Sequence, residues 1–307
     1  MSWFRRWWSS GGTPGAPAQD RPAHAAHAAP ASAGTAAPDA PETPAPPAAL
    51  ALPWLLGFGT LAEAATSADE QAVLDRIDAV LATPVLPERL LPRAAHLIPQ
   101  LIALLRQSDL PVAELTARIG RDAVLAAEVM RLSDSPYYRQ QDPVRNLEQA
   151  VLRIGEWGLQ QVIARVILKP IYQGTHGPWS TRATARHWDH AETLSRHAAA
   201  LSEASGQPPF DAYLAGMLHG TGWVVALHLA DGTRLAPDPA PSQAFADALE
   251  ERVHRLFGQA AQPWDITPGF TRFAQAAYRH GRADQSHGLS PVLQAARQLC
   301  LQELAAR

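Results

Sequence analysis

The chain almost lacks cysteine: Cys300 is the only one in 307 residues, so no internal disulfide can form. A disulfide-stapled secreted scaffold is excluded, and a reducing cytoplasm is the expected compartment. Charge is sparse as well, at 18% of residues, with a net charge of -3 and both signs interspersed. No global positive field draws the protein to nucleic acid. Long apolar runs are missing too. The uncharged stretch from about Pro44 to Ala62 is interrupted by Pro44, Pro46, Pro47 and Pro53, and only Leu50 to Phe58 is densely apolar. That is far short of the ~20 residues of a membrane span. No apolar run follows the N-terminus directly, which excludes a secretory signal there. No Gly-x-Ser-x-Gly elbow occurs. The sequence Gly174-Thr175-His176-Gly177, beside Pro178, reads as a turn rather than a phosphate cradle. Cys300 lies between Leu299 and Leu301 on an apolar helix and reads as packing, not as a nucleophile.

What is abundant is apolar surface, 47% of residues, enough for a sizeable core. It is unevenly spread. Residues 1–49 are mainly Ala and Pro and lack spaced large apolar side chains, so a disordered arm is expected there. Its tip is different. On a helix, Trp3, Phe4, Trp7 and Trp8 share one face and Arg5 and Arg6 the other, a composition suited to a membrane surface or a partner's groove. The segment is too short to hold a helix alone, which favours a sticky, unstructured terminus. Residues 50–86 read as a lead-in: a strap around Leu50 to Phe58, then a helix from Asp69 to Leu81 carrying Val73, Leu74, Ile77, Val80 and Leu81 at helical spacing.

Residues 87–307 are helical in pattern almost throughout. Leu97, Leu101, Leu104 and Leu105 form one face, with Pro99 either starting that helix or kinking it. Val112, Leu115 and Ile119 come next, closed by Gly120. Asp122 is placed to cap a helix with Leu125, Val129 and Leu132, and Asn146 one with Leu147, Val151 and Ile154, closed by Gly155. With no alternating strand pattern, the fold class expected is all-α. Leu115 to Leu132 also has helix-turn-helix spacing. The charges of Arg121, Asp122, Glu128 and Arg131 cancel, however, so two packed helices are favoured over a DNA reader.

The order of these pieces resembles the HDOD domain, the HD-related output domain of bacterial signalling proteins. The residues that carry the resemblance are Leu91-Pro92; Ser133-Asp134-Ser135-Pro136-Tyr137-Tyr138; Gln149-Ala150-Val151 with Leu152-Arg153-Ile154-Gly155; Trp188-Asp189-His190-Ala191, read as opening a long helix; Ala215-Gly216-Met217-Leu218-His219-Gly220-Thr221-Gly222; and Trp264, Pro268 and His280. Each motif is weak, and their colinear order is specific. The resemblance implies a compact helical domain and a place in a bacterial regulatory pathway.

In the HD superfamily that this domain resembles, a histidine followed by an aspartate helps hold a divalent metal, which polarises a phosphoryl oxygen and activates water. His190 and His219 match the histidine positions, but Gly220 stands where the aspartate would be. Glycine offers no anionic oxygen to a hard cation. The only histidine between Glu251 and Trp264, His254, lies before Gly258 and reads as out of place. The positions His190, His219 and Gly220 are therefore expected to be vestigial: no catalytic residue, no metal, no cofactor. A zinc site improvised from His187, His190 and His219 is the alternative. His187, His190, His219, Trp188 and Trp223 are the candidates for lining a binding cleft. The function expected is a non-catalytic signalling output or scaffold that binds partner proteins, without nucleic acid. An atypical metal-dependent phosphohydrolase and a helix-turn-helix regulator are the rivals.

Overall fold

A computed structural model describes residues 50–106, 112–136, 138, 142–173, 177–281 and 288–307. The Ala/Pro-rich arm, with its tip of Trp3, Phe4, Arg5, Arg6, Trp7 and Trp8, lies outside them. Among the described residues every regular element is helical, and the one extended pairing is an isolated bridge between Ala62 and Ser242. The all-α expectation holds.

The lead-in supplies α1 (Ala51–Leu56) and α2 (Ala68–Leu81). Ser67 caps α2 in a capping box with Glu70, whose carboxylate also accepts from the backbone N–H (2.7 Å) and the hydroxyl (3.0 Å) of Ser242. One buried glutamate thus fixes the start of α2 to the start of a helix far along the chain. The lead-in shares its core with the later helices: Leu52, Leu55, Val73 and Ile77 belong to the same buried cluster as Leu194, Leu218 and Phe245.

Next come α3 (Pro92–Arg106), α4 (Val112–Ile119) and α5 (Ala123–Ser133). Pro92 opens α3, so Pro99 lies inside it rather than at its start. Asp122 caps α5 as expected, accepting from the N–H groups of Val124 and Leu125. Asn146 caps α6 (Leu147–Leu168) through the N–H of Gln149. The glycine stop expected at Gly155 is a break rather than an end: with φ 61 and ψ -167 it joins two helical segments that continue to Leu168.

The middle of the chain builds the centre. A 3-10 turn (Lys169–Gln173) leads to α7 (Pro178–Ser202), α8 (Pro209–His219) and α9 (Thr221–Asp231). The long helix expected to open at Trp188 begins ten residues earlier, at Pro178. Its starting N–H groups are capped from a distance. Asp231, at the end of α9, accepts from Trp179 N (2.7 Å) and Ser180 Oγ (2.5 Å). The chain closes with α10 (Gln243–Ala261), α11 (Pro268–His280) and α12 (Leu289–Ala305). Helix α7 is the hub, packing against α1, α8, α9 and α12.

Helix α8 crosses α7 almost backbone on backbone. A Cβ placed on Gly216 would lie 2.6 Å from Ser195 Cα and 2.8 Å from its nitrogen, so no larger residue fits without moving a helix. Gly216→Ala is expected to cost at least ~1–3 kcal/mol in urea unfolding, the range for overpacking a tight core. Gly59→Ala, where the added carbon meets nothing within 4 Å, should leave stability nearly unchanged. Equal effects at the two positions would refute this reading of the crossing.

Candidate functional site

The α7–α8 crossing sets the site. His187 and His190 lie one turn apart on the buried side of α7, and His219 ends α8. Gly220 comes next with helical dihedrals (φ -59, ψ -16) and passes the chain into α9. Nothing in that backbone demands glycine; what demands it is the space beside it. A Cβ on Gly220 would lie 2.9 Å from Cε1 and 3.2 Å from Oη of Tyr172. The Tyr172 ring, held by its hydroxyl donating to the carbonyl of Met217, occupies the ground that an aspartate side chain would need.

The histidines do not converge on one point. His219 Nε2 lies 3.1 Å from His254 Nδ1; both rings pack on Phe257, and His254 also on Phe273. His254, expected to be out of place, is therefore the partner of His219. Helix α10 carries it there, with Glu250 one turn before on the same helix, a spacing that puts both on one face. His187 instead meets the edge of Tyr172, with ring centroids 5.5 Å apart. His190 sits under Trp54 of α1 at 6.3 Å, and its backbone carbonyl accepts from the Cys300 thiol at 3.7 Å. Near His190, Arg297 of α12 forms a buried ion pair with Glu250. Sequence reasoning does not single out Tyr172, Trp54, Glu250 or Arg297. Only the Glu250/His254 spacing could have signalled a site; the others come from distant elements.

The histidines are not assembled into one ligand set: the nitrogens of His219 and His254 face each other, His187 and His190 pack on Tyr172 and Trp54 instead, and the position expected to carry a carboxylate is Gly220, beside Tyr172. Among the described residues, no three His, Cys, Asp or Glu side chains are grouped to hold an ion. The expected cleft is closed as well. His187, His190 and Trp188 on α7, His219 on α8 and Trp223 on α9 are all buried. Trp188 lies nearest the surface, with the Lys169 ammonium 5.7 Å and the Arg165 guanidinium 6.0 Å from its ring. A concavity elsewhere, about 510 Å³, is lined by Ala94, Ile98, Pro99 and Ile102 of α3 with Pro263 and Trp264.

Electrostatics agrees with a closed layer. Burial lowers the pKa of His187 to about 4. Burial, then the neighbouring His187 and Arg297, lowers that of His190 to about 3. Both imidazoles are neutral at neutral pH. In the helix-turn-helix region the charges are spent internally: Arg118 pairs with Glu114 at 2.9 Å, and Arg131 with Glu128 at 2.8 Å.

An all-helical domain with HD-type histidine positions and a substituted carboxylate defines a class, and comparison places the chain within it. The HDOD domain model matches residues 91–261, more than half of the chain, and the protein belongs to that family. An uncharacterized protein of Treponema pallidum is 26% identical over 156 residues, which is 50% of this chain and 27% of that protein. The chain thus spans about a quarter of the length of that relative. Among solved structures, a Shewanella amazonensis SB2B protein provisionally named a metal-dependent phosphohydrolase superposes with a TM-score of 0.51 at 18% identity, over 75% of this chain and 82% of that one. An HDOD domain protein of unknown function from Geobacter sulfurreducens gives 0.49 at 18%, over 77% and 79%. At such identities the likeness shows the fold alone.

The depressed histidine pKa values give a pH dependence. The unfolded chain binds protons at these groups below about pH 6.5 and the folded chain does not, so stability falls as pH drops from 6.5 toward 4. Each of the two groups is expected to contribute about 1.4 kcal/mol per pH unit in that window. His190→Gln should flatten the urea-stability profile by about one proton's worth of slope. An unchanged slope would mean that His190 is solvated in the folded protein.

Proposed function

We propose that this chain is a non-catalytic signalling module, an output or scaffold domain that acts by binding partner proteins in a bacterial regulatory pathway. The observation that carries this reading is Tyr172 packed on Gly220. Where the HD motif would carry an aspartate this chain has Gly220, and a core tyrosine takes up the space beside it. The closed layer of His187, His190, His219 and His254 points the same way, since hydrolysis needs a water, a substrate phosphate and an open coordination site to meet there. Membership of a family of signalling output domains supports the regulatory role. Among the described residues, no helix is long and apolar enough to cross a membrane.

The rival is an atypical phosphohydrolase, favoured by the name of the Shewanella protein of similar fold. DNA binding is disfavoured, because Arg118 and Arg131 are engaged with carboxylates on their own helices.

Two comparisons test the proposal together. Purified full-length protein supplied with Mg²⁺, Mn²⁺ or Zn²⁺ should hydrolyse phosphate diesters and cyclic nucleotides no faster than the His190→Ala/His219→Ala double variant. Gly220→Asp should gain nothing, and should be less stable than the parent, because its side chain meets Tyr172. Affinity capture from bacterial lysate should enrich a specific protein partner. Metal-dependent turnover abolished in the double variant, or capture with no enriched partner, would overturn the proposal.

A further inference from the structure

Helix α1 sets an apolar strap on polar groups. Ala51, Leu52, Leu55 and Leu56 are fully buried, and Trp54 covers His190. Beneath lie both ring nitrogens of His190 and the Nε of Arg297, none with a hydrogen-bond partner. Beside them is Glu250, which pairs with Arg297 and accepts from Ala51 N at 3.4 Å. Polar atoms buried without partners lose the hydrogen bonds that water would give them. Closing the strap therefore sets apolar burial against unmet polar demand, and opening restores the second while losing the first.

The fastenings of the strap suit such an element. It is six residues long, too short to persist as a helix without docking, and Leu50 gives it no side-chain cap. Its shorter side-chain ties are at its C-terminal half, where Trp54 Nε1 donates to Leu304 O at 3.2 Å and Arg182 Nε donates to Leu56 O at 2.5 Å; at its start only the 3.4 Å contact of Ala51 N with Glu250 holds it. It ends at Gly57, with φ 72, and Gly59 lies just beyond in open space. Helix α2 is anchored separately through Glu70 and Ser242, so the strap can leave while α2 stays.

We infer that Ala51–Leu56 is a displaceable strap, hinged at Gly57 to Gly59, which lifts while the helices behind it remain packed and so opens the layer of His190, Arg297 and Glu250 to solvent. The inference concerns access to that layer and is independent of the scaffold reading, so the two can fail separately.

Acylation of histidines by diethyl pyrocarbonate, resolved by peptide mass spectrometry on the full chain at neutral pH, reads the opening directly. His190 is neutral in the folded protein and reacts once it is reached. Trp54→Ala should raise the His190 rate about tenfold or more, the effect of weakening one local opening equilibrium. His219 and His254, which pack against Phe257 on the α10 side, should keep their parent rates. Leu52→Ala should do the same through a different contact, and Trp54→Phe, which removes the bond to Leu304 but keeps a smaller ring over His190, should fall between. No response of His190 in either Trp54→Ala or Leu52→Ala would overturn the inference. So would His219 and His254 rising in step with His190, since the exposure would then be global unfolding.

Discussion

The crossing of α8 over α7 at Gly216 is the constraint on which the rest of the structure depends. Because Gly216 lets the two backbones come into contact at Ser195, His190 and His219 are presented to one buried layer, and the chain leaves α8 at Gly220 directly beside Tyr172. Close helix packing of this kind tolerates only small residues at the crossing, and it fixes side chains one turn away to within a narrow range. Packing alone thus suffices to place His190 and His219.

Much of this is legible in the sequence where the governing interaction is local. The caps at Asp122 and Asn146, the helix around Val73 to Leu81 and the absence of strands among the described residues all rest on residues within one turn of each other. Interactions across the chain are not legible. The start of α7 at Pro178 depends on Asp231, fifty residues on, so in sequence the Gly-Pro pair reads only as a turn. His254 looks out of place by its spacing to Gly258, whereas what matters is that α10 lays it against His219. Tyr172 carries no motif at all; its role exists only because the 3-10 turn before α7 brings it over Gly220.

The site itself is a set of polar groups made quiet by burial. Neutral imidazoles, a paired Arg297 and Glu250, and a hydrogen-bonded tyrosine satisfy part of their mutual demand, and apolar rings close around them. Such layers are costly when incompletely paired and specify packing when they are paired. Here the ring nitrogens of His190 and the Nε of Arg297 lack partners under α1, as does Nε2 of His187 beside Tyr172, while His219 is paired with His254 toward α10. The part under α1 is the part whose cover is one short helix.

We propose that packing fills the place where a metal centre would stand, and metal content tests this most directly. Full-length protein equilibrated with Mn²⁺ or Zn²⁺, dialysed and analysed by mass spectrometry of the elements should retain no more ion than the His190→Ala/His219→Ala variant treated alongside it. One ion per chain, retained by the parent and lost in that variant, would contradict the account.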